Sequence, residues 1–237
     1  MNRLLINSRS TTIFSNVKLL VFDMAGTTVN EGGIVYQTLY DTIKDYGLNI
    51  NKQEINKWHG ANKYEVLNHY LENDTTFLNS KNIIQSSMKK KLHDNFNTNL
   101  KERYFSSDNI KLIDNKMPSL FEYLRSNDIK IALNTGYNKD IQQSIISKLH
   151  MNEYIDDYIS SEEVENGRPY PHMINKLISR NNIPHSKNVI KFGDTKNDIL
   201  EGINANCLES VGVLSGADTE QELSNASIII NSIIEME

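Results

Sequence analysis

Short apolar runs alternate with amphipathic segments along this chain, and this alternation restricts the folds that it can adopt. The first run, residues 17–22, is almost continuously apolar and stops at Asp23. Runs of the same character cover residues 129–134, 188–192, 207–213 and 226–230. Such runs are typical of strands that are buried on both faces of a parallel sheet.

Segments with helical periodicity lie between these runs. They cover residues 118–127, 139–150, 171–182 and 196–204. Predicted strands and helices therefore alternate, which is the pattern of a parallel sheet with helices on its faces. The sequence predicts an α/β fold with a Rossmann-like, doubly wound parallel sheet.

One interval breaks the alternation, because residues 35–107 contain helical patterns and no convincing strand. The helical patterns cover residues 35–46, 52–58, 63–71 and 82–104. Glycine is nearly absent from them, as stable helices prefer. We therefore predict an all-helical cap domain at residues 35–107, inserted into a core of residues 1–34 plus 108–237. The insertion follows the first strand, where α/β folds place their active sites.

Charge and cysteine content restrict the partners and the compartment. The net charge of the 237-residue chain is −5, which argues against nucleic acid or a membrane as a partner bound through bulk charge. The single cysteine, Cys207, excludes an internal disulfide and favours the reducing cytoplasm. Residues 1–18 lack acidic side chains, which leaves open a weak organelle-targeting segment or a loose polar extension. A homodimer is also left open.

Asp23 carries the first of four polar motifs that follow predicted strands. It opens the sequence Asp-Met-Ala-Gly-Thr-Thr directly after the first apolar run. A carboxylate at this place can attack a phosphoryl group and bind a metal through its other oxygen. The alternative is an aspartate that only caps a turn.

The second and third motifs offer groups that bind anions. Thr135, Gly136 and Tyr137 follow the second run, where a hydroxyl and backbone amides can hold phosphate oxygens. Arg168, in Gly-Arg-Pro-Tyr-Pro, offers a planar cationic fork. Taken alone, the first is compatible with an ordinary turn and the second with a solvated arginine.

The fourth motif supplies a pair of carboxylates, Asp194 and Asp198. They are four residues apart, so they share one face if the following helix begins here. Together with Asp23 they provide the hard oxygen ligands that Mg²⁺ prefers. The alternative is that Asp194 or Thr195 caps the helix. Each motif alone is weak, but their occurrence in this order, each at a predicted strand end, points to one site.

With these motifs, nearly the whole chain resembles the haloacid dehalogenase superfamily. The family's four motifs match Asp23, Thr135, Arg168 and the pair Asp194 and Asp198. The resemblance implies that Asp23 is phosphorylated and then hydrolysed. It also implies a Mg²⁺ ion held by Asp23, the carbonyl of Ala25 and Asp194, with Asp198 in support.

A narrower resemblance is to the phosphonatase branch, which includes phosphonoacetaldehyde hydrolase. Ala25 stands where most phosphatases of the superfamily have a second aspartate as acid and base. In the phosphonatase, a cap lysine forms a Schiff base with the aldehyde, and Lys63 in Gly60-Ala-Asn-Lys63 matches that lysine. Two positions depart from the enzyme's pattern, since His59 replaces a methionine and Val66 a histidine. The Asp23 motif and the segment Gly-Ile-Val-Tyr36 that follows it are closer to the group called phosphonatase-like hydrolases.

The resulting hypothesis is a Mg²⁺-dependent hydrolase of a small phosphonate or phosphorylated metabolite. Alternatives are an authentic phosphonoacetaldehyde hydrolase that uses Lys63, a carbon–halogen hydrolase, and an inactive binding protein of the same fold. Asp194 and the phosphate motifs favour phosphorus over carbon, and the intact motifs argue against inactivity. The predicted catalytic residues are Asp23, Lys63 and Arg168, and the predicted substrate contacts are Thr135, Gly136, Tyr137 and His59. For His59, packing within the cap is an equal alternative.

Overall fold

A six-stranded parallel sheet forms the centre of the molecule. The computed structural model describes residues 16–105 and 109–236. The strands of the sheet are β1 (Leu19–Asp23), β4 (Lys130–Thr135), β5 (Asp157–Ser160), β6 (Val189–Gly193), β7 (Glu209–Val213) and β8 (Ile228–Ile230). Their order is β5-β4-β1-β6-β7-β8, and every neighbouring pair is parallel. The predicted parallel α/β fold is confirmed.

The central position of β1 explains its continuous apolar sequence. It pairs with β4 on one side and with β6 on the other, and all five of its residues are buried. The register places Asp23 opposite Asn134. Because parallel strands end at the same edge of a sheet, the residues that follow β1, β4 and β6 meet there.

Four helices occupy the predicted places between the strands. They are α5 (Met117–Ser126), α6 (Lys139–Lys148), α7 (His172–Arg180) and α8 (Lys196–Asn204). Thr195 caps α8, since its side chain accepts a hydrogen bond from the backbone N–H of Asp198. Asp194 therefore lies before the helix, so the condition under which the two aspartates would share a helix face is not met, and the alternative in which Thr195 caps the helix is the one observed. Only Asp198 stands in the first turn.

Residues 34–105, called the helical insertion below, follow β1. They contain α1 (Ile34–Asp45), a 3₁₀ helix (Lys52–Trp58), α2 (Lys63–Glu72), α3 (Thr75–Leu78) and α4 (Asn82–Phe105). The long helix α4 buries Leu92, Phe96, Leu100 and Tyr104 and lies against α1 and α2. No strand occurs within the insertion. The domain boundaries at residues 34/35 and 107/108 stay a prediction.

The sequence patterns missed three strands and one short helix. Strand β5 lies at the edge of the sheet and is only half buried, so it lacks a continuous apolar run. Strands β2 (Val29–Asn30) and β3 (Lys111–Leu112) form an antiparallel pair that is too short for a periodic pattern. The four-residue helix α3 is equally short. These misses concern the borders of the fold and leave its centre as predicted.

Two findings concern membranes and the N-terminus. In residues 16–105 and 109–236, no helix combines the length and the apolarity needed to cross a membrane. Residues 1–15 lie outside the described residues. They make up most of the segment interpreted either as an organelle-targeting segment or as a loose polar extension.

Candidate active site

A small cavity lies between the carboxyl edge of the sheet and the helical insertion. It is narrow and partly open to solvent, and the centre of a water-sized sphere can move through only about 20 Å³ of it. Its lining consists of Asp23, Ala25, Val35, Tyr36, Gly60, Lys63, Thr135, Gly136, Tyr137, Arg168, Asp194 and Thr195. Eight of the ten residues that the sequence predicted as site residues are therefore brought together. The exceptions are His59 and Asp198, which lie next to the cavity without lining it.

Asp23 is the last residue of β1 and is 4% exposed. Arg168 Nη1 lies 2.6 Å from Asp23 Oδ1, so the guanidinium fixes one oxygen of the carboxylate. Burial raises the pKa of Asp23, and the charge of Asp198 adds to the rise, while Arg168 and Lys191 oppose it. The carboxylate is thus oriented and poorly solvated, as a nucleophile requires.

Asp194 follows β6 and faces Asp23 across the cavity. It is 2% exposed, and its Oδ2 accepts a hydrogen bond of 2.8 Å from the backbone N–H of Ala217. Burial raises its pKa well above the ordinary value, and the charges of Asp23 and Asp198 raise it further. Gly26 has a φ of +83°, and a Cβ added there would overlap the Asp194 carboxylate. Glycine is therefore required in the turn after β1.

The carboxylates of Asp23, Asp194 and Asp198 fit a hard divalent cation. Their ligand atoms lie within 4.8 Å of one another, and all are oxygens. The negative charge of Asp198 is already balanced, because Lys191 Nζ and Arg168 Nη1 lie 2.8 and 3.1 Å from its Oδ1. Asp194 has no such cationic partner among the described residues. A bound cation would relieve the repulsion that raises the pKa values of Asp23 and Asp194.

A buried ionic cluster supports Arg168 from behind. It consists of Asn134, Arg168, Lys191, Asp198 and Glu201, each 4% exposed or less. Glu201 accepts hydrogen bonds from Arg168 Nε at 3.1 Å and from Asn134 Nδ2 at 2.8 and 3.0 Å. Arg168 Nη2 donates to the carbonyl and side-chain oxygens of Asn134 at 2.9 and 2.7 Å. The guanidinium therefore has a fixed position, and one nitrogen remains directed at Asp23.

The loop after β4 closes a third side of the cavity. Thr135 is 3% exposed and ends β4, and its hydroxyl oxygen accepts a hydrogen bond of 3.2 Å from the N–H of Tyr137. A Cβ added to Gly136 would lie 2.8 Å from the carbonyl oxygen of Ala61 in the helical insertion. On the opposite side, a Cβ on Gly60 would overlap the Thr195 side chain. The two halves of the site thus touch through glycines.

Lys63 reaches the cavity from the first turn of α2. Asn62 caps this helix, and Lys63 is 5% exposed. Its Nζ donates a hydrogen bond of 2.8 Å to the carbonyl of Ala61 and lies 4.7 Å from the centre of the Tyr36 ring. Burial lowers the pKa of Lys63 to about 8, against the opposing charge of Asp23. At pH 7 roughly a tenth of the side chain is therefore a neutral, nucleophilic amine, far more than for a solvated lysine.

A buried chain of hydroxyl groups ends at Tyr137. The Tyr104 hydroxyl donates to Glu31 Oε2 at 2.9 Å, and the Tyr104 and Tyr137 hydroxyl oxygens are 2.7 Å apart. Glu31 Oε2 also accepts the backbone N–H of Val35 at 2.8 Å. Burial raises the pKa of Glu31, while these hydrogen bonds oppose the rise. The chain links the segment that enters the helical insertion to the end of α4.

Comparison with known proteins identifies the family to which this site belongs. A family model described as haloacid dehalogenase-like hydrolase matches residues 20–213. The chain belongs to this family. It is 28% identical over 220 residues to the bifunctional phosphonoacetaldehyde hydrolase/aminoethylphosphonate transaminase of Clostridioides difficile (strain 630), a match that covers 88% of this chain and 34% of that protein.

Other relatives agree with the phosphonatase-like resemblance, which is confirmed. The phosphonoacetaldehyde hydrolase of Bacillus cytotoxicus is 34% identical over 112 residues, covering 45% of this chain and 42% of the relative. The phosphonoacetaldehyde hydrolase of Parabacteroides distasonis is 27% identical over 205 residues, covering 84% of this chain and 76% of the relative. The chain thus spans less than half the length of the first two relatives and about three quarters of the third.

Solved structures share the fold. A phosphonoacetaldehyde hydrolase-like protein from Oleispira antarctica has a TM-score of 0.75 at 22% identity, covering 94% of this chain and 91% of the other. The β-phosphoglucomutase of Clostridium difficile has a TM-score of 0.76 at 21% identity, covering 93% of each chain. At these identities the likeness concerns the fold alone.

The two departures from the phosphonatase pattern have distinct structural settings in this hydrolase. His59 Nδ1 lies 2.7 Å from Asp218 Oδ1, and its carbonyl accepts a hydrogen bond of 2.6 Å from Asn197. It therefore ties the helical insertion to the α/β part, and its role as a substrate contact stays a prediction. Val66 is fully buried in the apolar core of the insertion and offers no titratable group.

Sequence reasoning missed several residues of the site. Lys191 and Glu201 of the ionic cluster were not singled out, although a lysine inside the apolar run of β6 was an available signal. Glu201 stands three residues after Asp198, on the same face of α8. Tyr36 belongs to a motif that predicts no role for its side chain, and no sequence pattern distinguishes Glu31 or Tyr104.

Proposed function

We propose that this hydrolase cleaves a small phosphonate or phosphorylated metabolite with Asp23 as the nucleophile and Mg²⁺ as the cofactor. The observation that carries the proposal is the position of Asp23. It faces a small cavity in which Arg168 and Lys63 provide positive charge and Asp194 provides a second carboxylate. A dianionic phosphoryl group matches this distribution of charge.

The chain's own residues account for the main steps. Arg168 holds one oxygen of Asp23, so the other attacks phosphorus while the bond to the leaving group breaks and its electron pair departs with that group. The Thr135 hydroxyl and the backbone amides of its loop hold phosphoryl oxygens. Water then hydrolyses the aspartyl-phosphate and regenerates Asp23. Asp23, Asp194 and the Ala25 carbonyl would hold a Mg²⁺ ion, which would supply positive charge against the negative charge that develops on the phosphoryl group.

The remaining expectations accompany this proposal. We place the reaction in the cytoplasm, since Cys207 is a buried free thiol and suits a reducing compartment. The net charge of −5 argues against nucleic acid or a membrane surface as a partner bound through bulk charge. A homodimer stays a prediction.

Removal of divalent metal should abolish the activity. We expect phosphate release from small phosphate esters or phosphonoacetaldehyde to fall by at least about 100-fold in excess chelator, because charge on the phosphoryl group is then unbalanced. Mg²⁺ added back in excess should restore it, and circular dichroism should show an unchanged fold throughout. Full activity in chelator would contradict the metal assignment. Chloride release from chloroacetate, with no phosphate release from any ester, would instead support a carbon–halogen hydrolase.

Phosphonoacetaldehyde hydrolysis is a second, narrower candidate that Lys63 favours. A buried amine whose pKa is lowered to about 8 lies in the same cavity as the nucleophile. Neutral Lys63 can attack the aldehyde carbon, and loss of water leaves an imine. When Asp23 takes the phosphoryl group, the electrons of the C–P bond pass into the imine and form an enamine. This route needs no acid at Ala25.

Borohydride trapping tests this candidate directly. With phosphonoacetaldehyde, we expect a reduced adduct on Lys63, located by mass spectrometry of peptides. Below about pH 8 the neutral amine is the minor form, so the initial trapping rate should rise about fivefold from pH 7 to 8 and less than about twofold above pH 8. Lys63→Arg should give no adduct, whereas Lys57→Arg, on the exposed 3₁₀ helix, should give the wild-type amount. Turnover of phosphate esters without any adduct would exclude the imine and leave Lys63 as an anion-binding residue.

A further inference from the structure

Tyr36 is a residue of the cavity to which the mechanism above gives no role. It stands in the first turn of α1, and its ring lies 4.7 Å from Lys63 Nζ and 4.6 Å from the His59 ring. Its hydroxyl oxygen accepts a hydrogen bond of 2.9 Å from the backbone N–H of Gly60. The side chain therefore joins the start of the helical insertion to the loop that carries Lys63.

The hydrogen of the Tyr36 hydroxyl has no acceptor among the described residues. The oxygen receives the Gly60 N–H, but no carbonyl or carboxylate receives the phenolic hydrogen. Burial raises the pKa of Tyr36 well above its ordinary value, and the charges of Asp194 and Asp23 raise it further. The group thus stays protonated at any physiological pH. Tyr36 is partly buried at the cavity, so this hydrogen is available to water or to a ligand that enters the cavity.

The other tyrosine that lines the cavity, Tyr137, already uses its hydroxyl hydrogen in a hydrogen bond within the protein. When Glu31 is ionised, Tyr104 donates its only hydroxyl hydrogen to the carboxylate. Tyr104 must then accept from Tyr137, 2.7 Å away, so the hydrogen of Tyr137 points away from the cavity. Of the two phenols that line the cavity, Tyr36 alone is left to donate to a ligand, and Tyr137 presents a lone pair.

We propose that Tyr36 is a specificity-determining residue that donates a hydrogen bond to a carbonyl oxygen in the leaving group of the substrate. The inference rests on the proposed function, which places the phosphoryl group at Asp23 and the leaving group beside Lys63. No proton is transferred: the hydrogen bond draws electron density toward the carbonyl oxygen and makes the adjoining carbon more electrophilic. Substrates with a carbonyl near phosphorus are thereby favoured over alkyl analogues of the same size.

Binding of two nearly isosteric phosphonates tests the inference without requiring turnover. Phosphonoacetamide carries a carbonyl that accepts a hydrogen bond and forms no imine with Lys63, whereas 2-methylpropylphosphonate has the same number of non-hydrogen atoms and no carbonyl. With Mg²⁺ present, calorimetry on the wild type should show phosphonoacetamide binding about threefold to tenfold more tightly, the range of one hydrogen bond. Tyr36→Phe keeps the ring beside Lys63 and should remove this preference. Tyr40→Phe, one turn later on α1 and outside the cavity, should retain it.

The outcomes separate the inference from the function on which it rests. Equal affinity of the two phosphonates for the wild type, or an undiminished preference in Tyr36→Phe, would overturn the role of Tyr36. The proposed function would stand in either case, provided that inorganic phosphate and both phosphonates bind. If none of the three bound to the wild type, the phosphoryl site itself would be wrong and the inference would fall with it. Loss of affinity for both phosphonates alike in Tyr36→Phe would show a structural effect and would also contradict the assignment.

Discussion

Asp23→Asn is expected to lower turnover by at least about 10³-fold, because an amide oxygen cannot replace the carboxylate as a nucleophile. The substitution preserves the shape of the side chain and removes its buried negative charge. Burial already raises the pKa of the Asp23 carboxyl group. Arg168 keeps Asp198 and Glu201 as partners, so the ionic cluster should stay closed. The variant should therefore fold normally. Phosphate release measured against each substrate active with the wild type provides the test.

The control for this prediction is Asp94→Asn on α4. Asp94 forms an exposed pair with Lys90, and such surface pairs contribute little to stability and nothing to this cavity. Its turnover should match the wild type. Incubation with substrate and denaturing mass spectrometry should show phosphorylated protein for the wild type and none for Asp23→Asn. Substantial phosphate release by Asp23→Asn would rule out Asp23 as the nucleophile.

The largest effect on stability is expected from Lys191→Met. Lys191 is fully buried in β6, where its Nζ contacts Asp198 Oδ1 and Asn134 Oδ1, both at 2.8 Å. Methionine fills a similar volume but leaves Asp198 and Glu201 with Arg168 as their one cation. Removing one member of a buried ion pair costs about 3–5 kcal/mol of the free energy of unfolding. Urea denaturation measures this loss. As a control, Lys91→Met on the exposed face of α4 should change the free energy of unfolding by less than about 0.5 kcal/mol.

A double variant shows whether the loss comes from uncompensated charge. Glu201→Gln removes a negative charge from the cluster and places an uncharged amide of the same shape next to Asn134 and Arg168. Lys191→Met combined with Glu201→Gln should recover about 1 kcal/mol or more relative to the sum of the single losses, since contacting residues are not additive. Strict additivity would mean that the single variants act through packing, and the electrostatic account would be wrong.

The parts of the fold that could be predicted from sequence are those where burial is uniform. Strands β1 and β6 are buried along their whole length, so their apolar runs were visible in the sequence. The edge strand β5 buries only two of its four residues and lacks that signal. Strand β2 takes its place only by pairing with β3, a contact across more than 80 residues that no local pattern records.

The same distinction holds for the site. Residues at or directly after the carboxyl ends of strands, such as Asp23, Thr135 and Asp194, were predictable because the carboxyl ends of parallel strands must meet. Tyr36 and Glu31 come into place only through the path of the helical insertion, which strand-end reasoning does not specify. His59 illustrates a further limit, since its partner Asp218 is 159 residues away in sequence. Local patterns thus located the centre of the chemistry and missed the groups that act from the insertion side.

The contact between Gly60 and Thr195, and that between Gly136 and Ala61, have a consequence for how the gene can vary. Neither glycine has a side chain that could take part in the chemistry, yet a single added methyl would hold the two halves apart. In a library of all single substitutions screened for growth or activity, both positions should be as intolerant as Asp23. Alanine at either one should leave a folded protein whose cavity is open to bulk water. What these two positions are expected to require is the absence of a side chain, and a search for reactive residues alone would not find them.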